Sequence, residues 1–312
     1  MLIIYLTKLL FHFVSLYTRH FPVQRGKGTI INVLNKVNFP GFECITHSKD
    51  GRAFWYDSRS RHGYQVFFFG GREWAETKLV KKIVGAGDIV MDIGANIGWY
   101  TTLFARLVGE SGVVIAVEPI PQTMKILKRN LALNGNMDCV RLFEGACSDS
   151  NGYIEVHDFP TLHPGLASSR PIGNLPRITY KVPAVTIDHM VEQHQLEEIT
   201  LIKIDVEGAE LCVLYGGQNT FKRGCIEAVL LEANDERQQA FGYCFRECID
   251  FLVGCYADYR AFRIIKSRSM VLSEMTTPSD YQDGDNILVV KYEGRVWKKL
   301  CAQVTIISTL QH

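Results

Sequence analysis

The chain has 312 residues, enough for one domain with additions or for two small domains. A hydrophobic content of 47% excludes an intrinsically disordered chain. Lys+Arg 34 against Asp+Glu 33 leaves a net charge of +1, which argues against a nucleic-acid partner, because such proteins usually carry a basic surplus.

The nine cysteines include no C-x-x-C pair. An odd number without such pairs is typical of reduced, mostly buried thiols, so we predict a cytoplasmic protein. Cys244 and Cys248 stand one helical turn apart, but no second pair completes a zinc site around them.

Residues 1–25 are predicted to form an amphipathic helix. Polar residues fall on one stripe and apolar residues on the other side: Lys8, His12, Ser15 and Arg19 against Leu6, Leu9, Leu10, Phe13 and Leu16. We expect this helix to pack on the protein itself. Peripheral membrane contact through residues 1–19 is the alternative, and the polar stripe disfavours a membrane span.

A β-rich extension is predicted over 26–71, before a main domain over 72–295 and a C-terminal tail over 296–312. Turn-forming residues separate four short strand candidates in the extension, at 33–37, 42–46, 53–56 and 64–69. A helix over 73–84 follows, and Gly85 and Gly87 mark its end.

From residue 88 onward, strand and helix patterns alternate. The strand candidates are 89–92, 113–117, 140–143, 201–205 and 228–232, and the helix candidates are 97–108, 122–133, 211–221 and 237–253. This alternation predicts an α/β fold, a mostly parallel sheet with helices on both faces. Strands over 262–265 and 287–291 suit a hairpin that finishes one edge. The proline-rich stretch 157–183 is predicted to be irregular and either to cover a site or to be a surface excursion.

The segment Asp92-Ile93-Gly94-Ala95-Asn96-Ile97-Gly98 ends the first of these strands, turns through two glycines and opens a helix. Such a turn lets backbone approach a ligand closely. The carboxylate at the strand end suits a ligand with an amine or positive charge, such as S-adenosylmethionine. It would repel the pyrophosphate of a nicotinamide cofactor.

Further polar residues follow the neighbouring strands, where an open sheet of this type binds its ligand. Glu118 ends the second strand and could accept hydrogen bonds from a ribose diol. Ser148 and Asp149 follow the third strand, where an adenine amino group could donate to them.

Four segments together resemble the FkbM family of S-adenosylmethionine-dependent methyltransferases: 92–101 (DIGANIGWYT), Glu118-Pro119, 130–134 (NLALN) and 202–210 (IKIDVEGAE). The resemblance implies a Rossmann-like methyltransferase fold with a seven-stranded sheet and an antiparallel last strand. It also implies O-methylation of a hydroxyl group on a sugar or glycan, a lipid-linked saccharide or a polyketide-like small molecule.

Carried onto this sequence, the resemblance implies a set of cofactor-binding residues: Asp92, Gly94, Asn96 and Gly98 for the amino-acid end, Glu118 for the ribose, and Ser148 and Asp149 for the adenine. It also implies an acid before the first strand, supplied by Glu73 or Glu76, and a serine-bearing stretch at Ser168 and Ser169.

The proton of the acceptor hydroxyl needs a base, and carboxylates follow the fourth and fifth strands. Asp205 is our first candidate, followed by Glu207 and Glu232; His157 and His163 on the possible cover are further candidates. Because a buried lysine needs a partner, we expect Lys203 to have an acidic partner such as Glu232 or Glu207. Glu210 is expected to occupy the first turn of a helix, where acids are favoured.

The sequence leaves several other functions open. The carboxylates near the fourth and fifth strands could ligate magnesium, but the resemblance implies no metal, and none is predicted. A nucleic-acid methyltransferase would need a motif such as Asn-Pro-Pro-Tyr where this chain has Asp205-Val206-Glu207-Gly208. A membrane-peripheral binding protein without turnover and a nicotinamide oxidoreductase are two further candidate functions. The sequence does not indicate an oligomeric state.

Overall fold

The structure is a computed structural model and describes residues 2–20, 40–59, 62–135, 138–159, 167–170, 175–265, 269–277 and 280–307. The chain divides into two compact units, Met1–Glu73 and Trp74–His312. The strand predicted over 33–37 and the candidate base His163 lie outside the described residues.

The described part of the first unit contains α1 (Leu2–His20), β1 (Glu43–His47), β2 (Ala53–Asp57) and α2 (Tyr64–Phe69). The two strands pair antiparallel and form a hairpin. Aromatic side chains dominate the core of this unit. Among them, the rings of Tyr56 and Phe67 stack with their centroids 4.2 Å apart.

Residues 64–69 were expected to form a strand, but they form the helix α2. Gly63 and Gly70 flank the segment with φ of 76° and 72°, a conformation that favours glycine and lets a short helix start and stop. Side chains of α1 donate hydrogen bonds to carbonyl oxygens of α2. Ser15 Oγ lies 2.6 Å from the Phe67 oxygen, and Thr18 Oγ1 donates to the Phe68 oxygen. Tertiary contacts therefore override the strand preference of aromatic residues.

The helix α1 packs on its own unit, as expected, but its apolar stripe is not the side that is buried. The buried side consists of Thr7, Phe11, Val14, Ser15 and Thr18. The leucines at positions 6, 9, 10 and 16 and Phe13 are exposed. The hydroxyl groups of Ser15 and Thr18 face inward, where they donate hydrogen bonds to the carbonyls of α2.

The second unit carries the main sheet. Its described strands are β3 (Ile89–Ile93), β4 (Val113–Glu118), β5 (Val140–Glu144), β6 (Ala146–Cys147), β7 (Gly152–Asp158), β8 (Ala167–Ser168), β9 (Ile178–Val185), β10 (Leu201–Ile204), β11 (Ala228–Glu232), β12 (Tyr259–Ile265), β13 (Val271–Glu274), β14 (Asn286–Lys291) and β15 (Thr305–Ile307). Its described helices are α3 (Trp74–Ile83), α4 (Trp99–Val108), α5 (Pro121–Asn134), α6 (Ile187–Gln193), α7 (Glu210–Tyr215), α8 (Gln218–Lys222), α9 (Asp235–Gln239), α10 (Phe245–Cys255) and α11 (Arg295–Gln303).

The main sheet has the strand order β15-β13-β12-β14-β11-β10-β3-β4-β5. The strands from β11 to β5 are parallel to one another, and β14 is antiparallel to both of its neighbours. The predicted mostly parallel sheet with an antiparallel last strand is confirmed. The expected seven strands become nine in the described residues, because β13 and β15 extend one edge.

Helices cover both faces of this sheet. On one face, Ile202 and Ile204 of β10 share a buried cluster with Leu214 of α7 and Phe245 of α10. On the other face, Ala116 of β4 packs with α5 side chains such as Leu127. Successive residues of a strand point to opposite faces, so these runs of apolar residues are buried from both sides.

Three further expectations about this unit need correction. The late strands β12 and β14 pair antiparallel as expected, but they do not finish the edge of the sheet, because β13 and β15 lie beyond β12. Each of the helices expected over 211–221 and 237–253 is two shorter helices, α7 with α8 and α9 with α10. The supposed tail over 296–312 contains most of α11 and all of β15 in its described part.

The stretch 157–183, expected to be irregular, is bounded by sheet structure. Strands β7 and β9 pair antiparallel, with His157 opposite Thr179. They belong to a separate four-stranded sheet of order β6-β9-β7-β8. His157 is therefore a buried strand residue whose Nδ1 lies 2.9 Å from Thr179 Oγ1, and it does not sit on a mobile cover.

Candidate active site

The glycine turn after β3 is a compact structure that only these residue types permit. Gly94 and Gly98 have φ of 82° and 85°, and Asn96 has φ of 50°. The left-handed region is accessible to glycine and tolerated by asparagine. The amides of Gly94 and Ala95 both donate to the Val117 carbonyl, at 3.0 and 2.9 Å. These bonds tie the turn to the end of β4.

Glu118, the last residue of β4, lies directly beside this turn. Its side chain is buried, and each carboxylate oxygen accepts one backbone hydrogen bond at 2.9 Å, Oε2 from Asn96 and Oε1 from Ile120. Burial outweighs these bonds and raises the pKa of Glu118 to about 7, with a smaller contribution from the charge of Asp92. A carboxylate has about four acceptor positions, so one on each oxygen stays available to a ligand.

Asp92 is buried within β3, one residue before the strand ends. Thr101 Oγ1, in the first turn of α4, donates to Asp92 Oδ2 at 2.6 Å. This bond fixes the carboxylate between the strand and the helix that follows the glycine turn.

Lys203 and Asp205 form an ion pair at the end of β10. The nitrogen Nζ of Lys203 is 2.9 Å from Asp205 Oδ2, and it lies 4.8 Å from the centroid of the Tyr100 ring. The acidic partner that we expect for Lys203, with Glu232 and Glu207 as examples, is present and is Asp205. Asp205 takes this place because residues two apart along an extended chain point to the same side. Lys203 also stands opposite Asp92 in the parallel pairing of β10 with β3.

The loop after Asp205 is held by Glu210. Its Oε1 accepts from the amides of Val206 and Gly208, at 3.2 and 3.1 Å. Its Oε2 accepts from Gln238 Nε2 at 2.9 Å and lies 3.2 Å from the Tyr243 hydroxyl. Burial raises the pKa of this carboxyl. Glu210 therefore positions the loop, a role that goes beyond the helix-end preference we expected.

The other two carboxylate candidates occupy different surroundings. Glu207 has φ of 58° and pairs with Arg237, whose pKa is lowered by burial. Glu232 ends β11 opposite Asn286 of β14. The Asn286 side chain donates to Glu76 Oε1 at 2.7 Å, and Glu76 is buried in the first turn of α3. Glu73, the other acid considered before β3, belongs to the first unit and pairs with Arg72.

A cavity of about 590 Å³ opens beside Ser148. It is bounded by residues from β6, β7 and the start of α7, including Cys147, Ser148, His157, Ala209 and Cys212. Ser148 is buried, and its Oγ lies 3.3 Å from Oδ1 of the exposed Asp149. Ser169, one of the pair singled out in the sequence, also lines this cavity.

The structure therefore brings the predicted residues to the carboxyl ends of adjacent parallel strands. These positions are the ends of β3, β4, β10 and β11, where Asp92 with the glycine turn, Glu118, Asp205 and Glu232 lie. Sequence reasoning missed the supporting residues Arg237, Gln238 and Tyr243. Nothing in their sequence spacing relates them to the 206–210 loop, which they reach through the fold. Among the described residues, no group of three His, Cys, Asp or Glu side chains is arranged to hold a metal ion.

Residues 92–261, more than half of the chain, match the model of the family described as the methyltransferase FkbM domain. The chain belongs to this family. The match begins at Asp92, so it includes the glycine turn, Glu118 and the loop after β10.

Three curated relatives extend this result. Methyltransferase sdnD of Sordaria araneosa is 30% identical over 160 residues, which cover 42% of this chain and 61% of the relative. The 2-O-methyltransferase NoeI of Sinorhizobium fredii is 30% identical over 159 residues, which cover 47% of this chain and 64% of the relative. Hexuronic acid methyltransferase AglP of Haloferax volcanii is 28% identical over 136 residues, which cover 43% of this chain and 52% of the relative. The chain thus spans about half to two thirds of the length of these relatives.

Proposed function

We propose that the chain is an S-adenosylmethionine-dependent O-methyltransferase that acts on a hydroxyl group of a sugar or glycan, a lipid-linked saccharide or a polyketide-like small molecule. Family membership supports methyl transfer. The names of NoeI and AglP support an oxygen acceptor on a sugar. The observation that carries the proposal is the buried carboxylate of Glu118, fixed by two backbone amides beside the glycine turn.

The residues of the turn and of Glu118 fit the cofactor chemically. Glu118 has one acceptor position left on each oxygen, which matches the two hydroxyl groups of a ribose. Gly94 and Gly98 carry no side chains, and Asp92 offers a negative charge to an amino group. We assign the amino-acid end of the cofactor to Asp92, Gly94, Asn96 and Gly98.

The cavity beside Ser148 suits the adenine end. Its volume of about 590 Å³ lies in the range of small-molecule sites, and it adjoins Ser148 and the start of α7. We therefore assign adenine recognition to Ser148 and Asp149.

S-adenosylmethionine, when bound, supplies an electrophilic methyl group. The protein must hold the acceptor oxygen in line with that group and receive the proton of the hydroxyl. We assign the role of proton acceptor to Asp205, because its side chain is 22% exposed at the sheet edge. The ammonium group of Lys203, 2.9 Å from Oδ2, holds this carboxylate in position. Glu207 and Glu232 are the remaining candidates for this role.

Calorimetric titration with S-adenosylhomocysteine tests the cofactor assignment, with NAD as the comparison ligand. We expect S-adenosylhomocysteine to bind and NAD not to bind. Asp92→Ala and Glu118→Ala should each weaken binding at least about tenfold, since each removes a charged acceptor from the site. Glu110→Ala, which removes an exposed carboxylate after α4, is the matched control and should bind normally.

Unchanged affinity in both site variants would contradict the cofactor assignment, and binding of NAD would favour an oxidoreductase. The acceptor is sought by screening sugars, glycolipids and polyketides with methyl-labelled S-adenosylmethionine. Cofactor binding without transfer to any of these acceptors would favour the binding protein without turnover.

A further inference from the structure

The outward side of α1 is an apolar surface. Six of its side chains, Leu2, Ile3, Tyr5, Leu6, Phe13 and Leu16, are each more than half exposed, from 54% for Leu6 to 72% for Phe13. Leu6, Leu9, Phe13 and Leu16 follow one another at intervals of three or four residues, so they share one face of the helix. We call this surface the outer face of α1.

Exposure of large apolar residues is concentrated in this helix. Of the seventeen exposed large hydrophobic residues in the described parts of the chain, nine belong to the 19 residues of α1. Single exposed apolar residues are normal, but a contiguous patch marks a surface that contacts an apolar phase or another molecule.

The helix is held in this orientation by hydrogen bonds on its inner side. Ser15 and Thr18 donate to the carbonyls of Phe67 and Phe68, and Arg19 Nε donates to the Phe67 carbonyl at 2.8 Å. Phe11 adds an edge contact with Phe42 at 5.3 Å between centroids. Rotating α1 to bury its outer face would break these bonds, so the exposed leucines are part of the folded unit.

Charge indicates what the outer face contacts. Residues 1–73 contain ten Lys and Arg against four Asp and Glu, a net charge of +6, whereas residues 74–312 contain 24 against 29, a net charge of −5. The balanced total therefore hides a strongly basic first unit. Within α1 itself, Lys8, Arg19 and His20 stand without any acidic residue.

We propose that the outer face of α1 lies in the interfacial layer of an anionic phospholipid bilayer. An amphipathic helix with leucine and aromatic residues on one side and basic residues beside them binds such a surface in the plane of the membrane. Lys8 is half-buried and can extend its ammonium group to lipid phosphates. None of the helices in the described ranges has the length and apolar content that a membrane crossing requires.

Co-sedimentation of the full chain with lipid vesicles tests this proposal. One vesicle type contains phosphatidylcholine alone, and the other contains phosphatidylcholine with phosphatidylserine. We expect the chain to sediment with the phosphatidylserine vesicles, at least about tenfold more tightly than with phosphatidylcholine alone, and to be released by salt. Phe13→Asp and Leu16→Asp should each weaken sedimentation about tenfold or more.

The control variant is Tyr153→Asp, which changes a side chain that is 69% exposed in β7 of the second unit and should not affect sedimentation. S-adenosylhomocysteine binding and circular dichroism check that each variant is folded. Failure of the wild-type chain to sediment, equal binding to both vesicle types, or unchanged sedimentation of both α1 variants would overturn the proposal. So would a dimer in solution that the α1 variants convert to monomers while vesicles are not bound, since the outer face would then join two copies.

Discussion

Gly94 and Asp205 meet backbone to backbone, although 111 positions separate them in the sequence. A β-carbon at position 94 would stand 1.9 Å from the carbonyl oxygen of Asp205. The turn that we assign to the cofactor and the loop that carries the candidate base therefore touch directly. Each can hold its geometry only if the other does.

Gly94→Ala is expected to destabilise the protein by more than about 3 kcal/mol, because it adds a steric clash to the strain of a left-handed backbone. Gly135→Ala is the control. Its φ is also positive, at 69°, but a β-carbon there meets nothing within 4 Å, so the cost should be about 1–2 kcal/mol. Urea denaturation measures both, and equal costs would show that the contact with Asp205 is unimportant.

Glu118 should make cofactor binding depend on pH. Its pKa is raised to about 7 in the free protein, and ribose hydroxyl groups would bond better to the ionised form. Affinity for S-adenosylhomocysteine should therefore rise as pH increases through about 7. Calorimetry across this pH range should show that Glu118→Gln binds S-adenosylhomocysteine more weakly and with less dependence on pH. Glu110→Gln should show the same affinity and pH dependence as the wild type.

The same group affects folding stability in the opposite direction. Because the folded-state pKa lies above the ordinary value of 4.5, the folded protein binds this proton more tightly than the unfolded chain does. The contribution of Glu118 to stability is therefore fully present below about 4.5 and is lost as pH rises to about 7. Comparing the pH dependence of unfolding in wild type and Glu118→Gln isolates this contribution, and identical profiles would contradict it.

The Lys203–Asp205 pair should matter for methyl transfer more than for cofactor binding. Asp205→Asn removes the proposed proton acceptor and should slow transfer by about 10²-fold or more, with S-adenosylhomocysteine affinity changed little. Lys203→Met should slow methyl transfer less than Asp205→Asn does. Because the two residues act as one unit, the double variant should lose less of the transfer rate than the sum of the two single-variant losses. Equal losses of transfer and affinity in Asp205→Asn would make Asp205 a cofactor-binding or folding residue.

Tyr243 stabilises the loop after β10. Its hydroxyl lies 2.7 Å from the Gly208 carbonyl and accepts from the Leu211 amide at 3.1 Å. Tyr243→Phe leaves these groups without that partner and should cost about 1–3 kcal/mol. Tyr153→Phe, on the surface of β7, should be neutral in the same thermal and urea unfolding experiments.

Periodicity predicted the elements around the site well, because both faces of the parallel strands are buried. The helix expected over 97–108 occurs as Trp99–Val108, and the strand over 228–232 occurs as Ala228–Glu232. The positions of Gly94 and Glu118 followed from the same pattern, since both residues stand where a strand ends. Their binding roles remain predictions.

What the sequence could not provide were contacts between distant segments. The residues of the segment 64–69 favour a strand, but the segment forms a helix whose carbonyl groups accept hydrogen bonds from Ser15 and Thr18. The sequence predicted an acidic partner for Lys203 but not that Asp205, two residues further along the chain, is one. The side of α1 that faces inward does not follow from apolarity, because Ser15 and Thr18 on that side donate hydrogen bonds to another helix.

The bonds from Ser15, Thr18 and Arg19 have a practical consequence for shortened versions of this protein. Deleting the first twenty residues would strip the carbonyl groups of Val66, Phe67 and Phe68 of side-chain donors and uncover the aromatic cluster beneath them. A truncated chain prepared to improve solubility should therefore aggregate through its newly bared interior. Replacing individual outward leucines keeps that interior covered and is the better route to a well-behaved sample.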